Sequence, residues 1–297
     1  MTKVDELMQG SYDLHIHSGP GMVKRSVTHV EACKMAYAAG QRAIVLKDQH
    51  FTTQNLPPVL EECLQFERPF NVYGGLVLCN TSGGFSPAVV EGAIKQGIKC
   101  VWMPTLAAHF NRVYKSGLTG AALASMPKST SALQYDYDMT ITDDNGKLKQ
   151  EIVDILKLCV DADIYIGNGH ISQAETDAMI DKAIGLGSKK VVINHPELHL
   201  KMPLEKQVEY TKAGVWLEHI LAIVYSNKSS HEYIYEMIQA TGTDHVIVSS
   251  DLGQVGRPVP VDGMRNFMQA MLDLGMPEAD IRKVTRDTPA FLVGHTA

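Results

Sequence analysis

The decisive stretch of this sequence reads Asp13-Leu14-His15-Ile16-His17-Ser18-Gly19-Pro20. Polar and apolar residues alternate up to Ile16, as they do in a β-strand, and the Gly-Pro pair then predicts a turn. Side chains two residues apart lie on one face of a strand, so His15 and His17 point the same way at its end. Two neighbouring imidazoles beside a loop are typical ligands of a transition metal. Two partly buried histidines packed against a helix are the alternative interpretation.

The composition is that of a globular protein and argues against several classes of partner. The chain has 297 residues, 45% of them hydrophobic, and a formal net charge of -6, which offers no basic surface for nucleic acid. The first dozen residues lack the apolar core of a signal peptide, and no apolar run is long enough to span a membrane. The five cysteines have no Cys-x-x-Cys spacing, so we expect reduced thiols. We therefore expect a cytoplasmic protein that binds neither nucleic acid nor a membrane, and a homo-oligomer is left open.

Short apolar runs alternate with helical patterns along most of the chain, which is typical of an α/β protein. The eight predicted strands are residues 12–16, 43–46, 71–78, 100–103, 164–167, 191–193, 215–217 and 246–249. Eight such units favour a (β/α)8 TIM barrel, and a doubly wound open sheet is the second choice. We expect residues 1–297 to form a single domain.

The alternation is interrupted after the fourth strand, over residues 106–147. This segment has no clean period until residues 139–148, which read as a small hairpin. A loop this long inside a compact domain is usually a functional lid or disordered. We favour a lid-like insertion, because it carries aromatic and basic side chains and follows a strand end.

Most of the metal-binding and acid-base residue types follow the predicted strands, at the barrel face where the active sites of TIM barrels lie. The residues at these ends are His15, His17, Lys47, His50, His170, His195, Glu218, His219 and Asp251. Histidines with only a structural role should instead scatter over helices and strand starts. His29, His231, His245 and His295 do so, and we assign them no function.

This ordered set of residues resembles the amidohydrolase superfamily of metal-dependent hydrolases. The matching features are the His-x-His of strand one, the histidines after strands five and six, and the aspartate after strand eight. Residues 285–294 also resemble the superfamily's C-terminal helix signature, so the resemblance spans nearly the whole chain. It implies a TIM barrel that activates water with one or two divalent ions, and the ligand types suit Zn2+, Mn2+ or Fe2+.

The resemblance also implies which residues bind the metal ions. His15, His17 and Asp251 would hold one ion, and His170 and His195 a second. The sequence departs from the family at the bridging ligand, because strand four ends in Pro104-Thr105 and offers neither lysine nor glutamate. Lys47, converted to a carbamate by CO2, is the candidate substitute; Glu218 is its rival, and a one-metal site is the alternative to both.

In the chemistry that this resemblance implies, Asp251 is the general base and then the general acid. His50 or His219 would stabilise the developing oxyanion. The expected substrate is a small molecule with an amide, lactam, lactone or ester bond, and an anionic group is compatible with the basic side chains nearby. The candidate substrate-binding residues are Asn80, Thr105, His109, Arg112 and Arg257, with Lys115 beside them in the insertion.

Two further functional hypotheses stay open. The segment 13–18 with Lys47-Asp48-Gln49-His50 resembles the opening motifs of the polymerase-and-histidinol-phosphatase family of metal phosphoesterases. That family expects a glutamate after strand three, where this chain has Asn80. A non-catalytic barrel that binds a metal or a ligand is the third hypothesis, and decarboxylation or isomerisation on the same barrel is compatible with these residues.

Overall fold

The structure, a computed structural model, describes residues 2–117 and 138–295. Within these ranges eight parallel strands are hydrogen-bonded in chain order. They are β1 Tyr12–Ile16, β2 Ala43–Leu46, β3 Asn71–Val77, β4 Cys100–Trp102, β5 Tyr165–Gly167, β6 Val191–Asn194, β7 Trp216–Ile220 and β8 Val246–Ser249. Seven of the eight are buried over nearly their whole length, as expected for the short apolar strands of a parallel sheet covered by helices.

Helices connect and cover these strands. The α-helices are α1 Lys3–Met8, α2 His29–Ala38, α3 Leu56–Leu64, α4 Pro87–Lys95, α5 His109–Ser116, α6 Gln150–Asp161, α7 Gln173–Gly185, α8 Leu204–Lys212, α9 His231–Thr241, α10 Pro260–Asp273, α11 Glu278–Arg282 and α12 Thr288–Leu292. A capping box begins two of these helices, with Thr28 and Glu31 at α2 and with Ser172 and Glu175 at α7. In the described ranges, no helix combines the length and the apolarity that crossing a bilayer requires.

The sheet closes where the segment after β8 meets β1. The Asp251 N–H donates to the His15 carbonyl at 2.8 Å, and the His17 N–H donates to the Leu252 carbonyl at 2.9 Å. We call this contact the barrel seam. It confirms the (β/α)8 TIM barrel and excludes the doubly wound open sheet, in which the first and last strands would not meet. Because of the seam, Asp251 lies beside His15 of β1 and His17, which directly follows β1.

The barrel interior is filled by side chains, with Trp102 at its centre. Its ring meets the Tyr165 ring edge to face, with centroids 6.0 Å apart. Gly75 and Gly167 make this possible, because a Cβ at either position would lie 2.2 or 2.3 Å from the indole. The Lys47 Nζ lies 4.6 Å from the centre of the same ring. Trp102 therefore forms the floor beneath the polar residues at the carboxyl end of the barrel.

The structure departs from the sequence predictions in two places. Residues 109–116 form helix α5, where no regular element was expected. Strand β7 continues to Ile220, so Glu218 and His219 lie within the strand and not after it. The small hairpin predicted over residues 139–148 has its turn, since the Asp143 N–H donates to the Lys147 carbonyl at 2.8 Å. Residues 118–137 of the expected lid lie outside the described ranges, so its role as a lid stays a prediction.

Gly253, at the barrel seam, is expected to tolerate no side chain. Its φ is +130°, and a Cβ there would lie 1.5 Å from the His17 carbonyl oxygen. We expect Gly253→Ala to lower the free energy of unfolding by about 3–5 kcal/mol, because β1 and the loop after β8 must move apart. Gly256→Ala is the matched control, since φ is +84° but the space around it is open; the expected cost is about 1 kcal/mol. Equal costs in urea unfolding would contradict the tight packing at Gly253.

Candidate metal centre

Three candidate ligands from the two sides of the barrel seam form one cluster. The Asp251 Oδ1 lies 2.8 Å from the His17 Nε2 and 3.2 Å from the His15 Nε2. The two imidazoles are 1% exposed, whereas the carboxylate is 14% exposed. We call these three residues the seam cluster. Its ligand atoms all lie within 4.8 Å of one another, which is close enough for one ion to be shared.

The other ring nitrogen of each histidine is occupied by the protein. The His17 Nδ1–H donates to the Lys47 carbonyl at 2.9 Å, and the His15 Nδ1 lies 3.1 Å from the Glu218 Oε2. Glu218 also accepts from the Asn194 amide at 2.5 Å. Metal-binding histidines are commonly fixed in this way by a carbonyl or carboxylate on the far nitrogen. The sequence left Glu218 open as a bridging ligand, and in the structure it orients His15.

The seam cluster fits a cation because it brings a nitrogen lone pair and a carboxylate oxygen together. A neutral imidazole that donates through Nδ1 carries a lone pair on Nε2. The His17 Nε2 is buried and has no hydrogen bond in the described ranges, yet it faces a carboxylate oxygen. Two acceptors 2.8 Å apart repel one another unless a proton or a metal ion lies between them.

Electrostatics keeps this cluster polarised. Burial lowers the pKa of His17 to about 4, although Asp251 acts in the opposite direction. Burial alone would raise the pKa of Asp251, but His15 and His17 hold it below its usual range. Burial likewise opposes ionisation of Glu218, whose pKa His15 and Asn194 lower to about 2. The cluster therefore pairs an ionised Asp251 with a His17 that burial keeps neutral, and these are the protonation states that metal binding requires of the two residues.

A second cluster contains a histidine that the sequence analysis missed. His170, His195 and His199 place ligand atoms within 4.8 Å of one another, and all three side chains are buried. The His170 and His199 rings stack with centroids 3.9 Å apart, and the His170 Nδ1 lies 3.3 Å from the Asn111 Oδ1. We call these residues the histidine trio. The spacing His195-Pro-Glu-Leu-His199 was visible in the sequence, but only the turn after β6 brings the second histidine back.

The histidine trio also fits a cation. The Nδ1 atoms of His195 and His199 are buried and have no hydrogen bond in residues 2–117 or 138–295. Burial lowers the pKa of His195 to about 4 and that of His199 to about 2, and a neighbouring histidine adds to the shift of His199. Three neutral imidazoles that converge without a carboxylate leave lone pairs unsatisfied, and a metal ion would bind them.

Backbone strain accompanies both clusters. His195 and Asp251 have φ values of +37° and +47°, in the left-handed region that residues with a Cβ rarely adopt. Strain of this kind costs on the order of 1 kcal/mol or more per residue and is concentrated at functional sites. At both positions it turns a side chain towards its cluster immediately after a strand.

Lys47 lies beside the seam cluster. Its side chain is buried, its Nζ lies 3.1 Å from the His15 Nε2, and it lines the same cavity as both clusters. Burial lowers the pKa of the ammonium, while Asp251 and Glu218 act in the opposite direction. The neutral amine is the form of lysine that reacts with CO2. Because burial favours this form, Lys47 is chemically suited to become a carbamate.

Two of the expected catalytic residues do not reach the cavity. His219 is fully buried and follows Glu218 in β7, so strand alternation turns it away from the interior; its Nδ1 lies 3.5 Å from the Glu197 Oε2. His50 is also buried, and its N–H donates to the Asp48 carboxylate at 2.7 Å in the turn after β2. The cavity lining contains Gln49 in its place.

Of the five candidate substrate-binding residues, only Arg257 lines the cavity. Thr105 is fully buried beside Cys79, and Asn80 caps its own turn through the Thr81 N–H at 3.1 Å. His109 and Arg112 both bind Asp138, and Arg112 does so through two nitrogens at 3.1 and 3.0 Å. These two basic residues therefore tie α5 to Asp138, in the later part of the insertion.

The two clusters open into one cavity of about 320 Å3 at the carboxyl end of the strands. Its polar base consists of His15, Lys47, His170, His195, His199 and Asp251. The His15 and His195 rings, one from each cluster, have centroids 6.4 Å apart. A small molecule in this cavity would therefore contact both candidate metal sites at once.

Comparison with known protein families shows which family the chain belongs to. Residues 10–218 match the model of a family of unknown function, DUF6282. The chain belongs to this family. No curated protein matches the sequence. Membership in DUF6282 therefore gives the protein relatives but assigns it no reaction.

Solved structures share the barrel at low sequence identity. An amidohydrolase from Pseudomonas aeruginosa superposes with a TM-score of 0.61 at 13% identity, over 98% of each chain. A putative 2-pyrone-4,6-dicarboxylic acid hydrolase from Pseudomonas putida superposes with a TM-score of 0.58 at 14% identity, over 96% of this chain and 97% of the hydrolase. A β-aspartyl dipeptidase from Fervidobacterium islandicum superposes with a TM-score of 0.60 at 15% identity, over 96% of this chain and 72% of the dipeptidase. This DUF6282 member thus has the TIM-barrel fold found in amidohydrolase-superfamily members.

Proposed function

We propose that this DUF6282 protein is a metal-dependent hydrolase that cleaves a C–N or C–O acyl bond of a small molecule, in an amide, lactam, lactone or ester. The observation that carries the proposal is the contact of 2.8 Å between the His17 Nε2 and the Asp251 Oδ1. An imidazole nitrogen and a carboxylate oxygen in direct contact, with the imidazole fixed through its Nδ1 by the Lys47 carbonyl, call for a cation. Two of the fold neighbours, the amidohydrolase and the putative 2-pyrone-4,6-dicarboxylic acid hydrolase, support the same class of reaction.

The seam cluster would hold one divalent ion and the histidine trio a second, with Zn2+, Mn2+ or Fe2+ as candidates. A bound ion supplies Lewis acidity and lowers the pKa of a water to near neutrality. Asp251 would accept a proton at its carboxylate and later return it to the leaving group. It is suited to this role because its side chain is 14% exposed, whereas those of its histidine partners are 1% exposed.

Lys47 is the proposed bridging residue, as a carbamate formed when its neutral amine adds to the carbon of CO2 and loses one proton. Carbon-13-labelled bicarbonate should then give a carbamate carbonyl signal in NMR spectra of the metal-loaded protein. The signal should vanish in Lys47→Met, and metal content should fall. Lys190→Met is the matched control, since Lys190 is also buried but pairs with Asp163 at 2.7 Å. A signal that survives in Lys47→Met would reject the bridge.

The function is tested first by the metal content of protein purified without chelator or affinity tag, measured by inductively coupled plasma mass spectrometry. We expect about two ions per chain. The metal-loaded protein is then offered a panel of esters, lactones and amides, with 4-nitrophenyl phosphate as the phosphoesterase alternative. Acyl hydrolysis that chelation abolishes and metal restores supports the proposal. Phosphate release alone would favour the phosphoesterase hypothesis, and absence of any metal uptake would overturn both.

One fold neighbour shows that this barrel also carries non-hydrolytic chemistry. A 2,6-dihydroxybenzoate decarboxylase superposes with a TM-score of 0.52 at 12% identity. Benzoates with hydroxyl groups therefore belong in the substrate panel, with CO2 release as the readout. Decarboxylation without hydrolysis would replace the proposed reaction while leaving the metal sites intact.

A further inference from the structure

We propose that Lys115, Lys228 and Arg257 form an oxyanion-binding subsite at the mouth of the cavity, and that the substrate is a small molecule carrying a carboxylate or phosphate group away from the bond that is cleaved. All three side chains line the cavity that contains both candidate metal clusters. They come from three separate elements: the end of α5, the loop after residues 221–226 and the loop after β8. The substrate part of this proposal rests on the proposed function, whereas anion binding does not.

The first argument is that the three cations have no acidic partner. In the described ranges no ion pair involves Lys115, Lys228 or Arg257. Other basic residues of the protein do form ion pairs, such as Lys190 with Asp163 and Arg265 with Asp5. Arg257 does form a hydrogen bond to the backbone: its Nη1 donates to the Ala222 carbonyl at 3.2 Å, which fixes the guanidinium in position.

The second argument is that the cations repel one another. Burial lowers the pKa of the Lys115 ammonium, and Lys228 lowers it further. Like charges that face a common cavity repel one another, and an anion that enters the cavity relieves this repulsion. The one acidic residue in the described cavity lining, Asp251, is already in contact with His15 and His17. It therefore cannot neutralise the mouth of the cavity.

The third argument is the path from the cations to the candidate metal sites. The Lys228 Nζ lies 5.5 Å from the centre of the Tyr114 ring, and that ring lies 4.8 Å from the ring of His199. Tyr114 therefore forms a wall that runs from the mouth to the histidine trio. A compact molecule along this wall would put its anionic end near the lysines and its reacting bond near the clusters.

Calorimetric titration of the metal-loaded protein tests the subsite. The probes are malonate, inorganic phosphate and uncharged malonamide. We expect at least one anion to bind and malonamide not to bind. In the Lys115→Met/Lys228→Met double variant, the Kd of that anion should rise about tenfold or more while metal content is unchanged. The control is Lys95→Met/Lys206→Met, which changes two lysines paired with Glu91 and Glu209 outside the cavity.

The two anions distinguish the source of the oxyanion group. Binding of malonate alone identifies a carboxylate, and binding of phosphate alone identifies a phosphate ester or related group. An unchanged Kd in the double variant would overturn the subsite, because the anion would then bind elsewhere, for example at the metal ions. So would equal binding of malonamide, or no binding of either anion. Each of these failures leaves metal content and acyl hydrolysis untouched, so the proposed function is judged separately.

Discussion

Replacing Asp251 with asparagine is expected to lower kcat by about 10²–10⁴-fold on whichever substrate the panel identifies, with most of the metal retained. The amide oxygen of asparagine can still face His15 and His17, but the amide cannot take up a proton during the reaction. The loss should therefore appear in kcat, and metal content measured on the same sample should change little.

Asp48→Asn is the matched control for this substitution. Asp48 is a buried carboxylate near the same end of the barrel, but it accepts from the N–H groups of His50 and Phe51 and lies in neither histidine cluster. Its substitution removes the same charge and should alter kcat far less. If Asp251→Asn kept full turnover, a role for Asp251 in proton transfer would be excluded. Loss of all metal in that variant would instead show that the Asp251 carboxylate is required for metal binding.

Replacing His199 with alanine is expected to reduce the metal content from about two ions per chain to about one. The remaining His170 and His195 would offer only two of the three nitrogens of the histidine trio, which contains no carboxylate of its own. The seam cluster contains none of these residues and should keep its ion. Titration of metal-free protein with Co2+, followed by its visible absorption, should show two binding phases in the wild type and one in the variant.

His245→Ala is the control for His199. His245 directly precedes β8 and packs against Trp216, with ring centroids 4.9 Å apart, at the opposite end of the barrel. Its substitution should leave both Co2+ phases in place. A His199→Ala variant with two unchanged phases would show that His199 is not a ligand. Complete loss of metal would show that the two clusters do not bind independently.

Much of the fold could be predicted because each strand is a short apolar run between turn signals. Strands β1, β2 and β8 have the predicted bounds. The position of Asp251 beside His15 follows from barrel closure alone, since parallel strands in a closed ring bring the ends of the first and last strands together. The two ends could therefore be related without any knowledge of the loops.

The remaining features depend on loops and on side-chain partners, which periodicity does not report. His199 joins His195 only through a turn, and Lys228 reaches the cavity from a loop without apolar pattern. Arg112 was an expected substrate contact, but Asp138, from the later part of the same insertion, binds it. Strand β7 extends three residues beyond its last predicted position, Leu217, and this turns His219 away from the cavity.

The barrel seam has a consequence for the order in which the protein matures. The seam cluster combines His15 in the first strand and His17 directly after it with Asp251, which follows the last strand. On the ribosome, the two histidines emerge long before their carboxylate partner, and contacts so distant along the chain form late. A nascent chain thus holds an incomplete metal site until all eight strands have been made. Capture of an ion at the seam would then mark completion of the barrel and join its first and last strands.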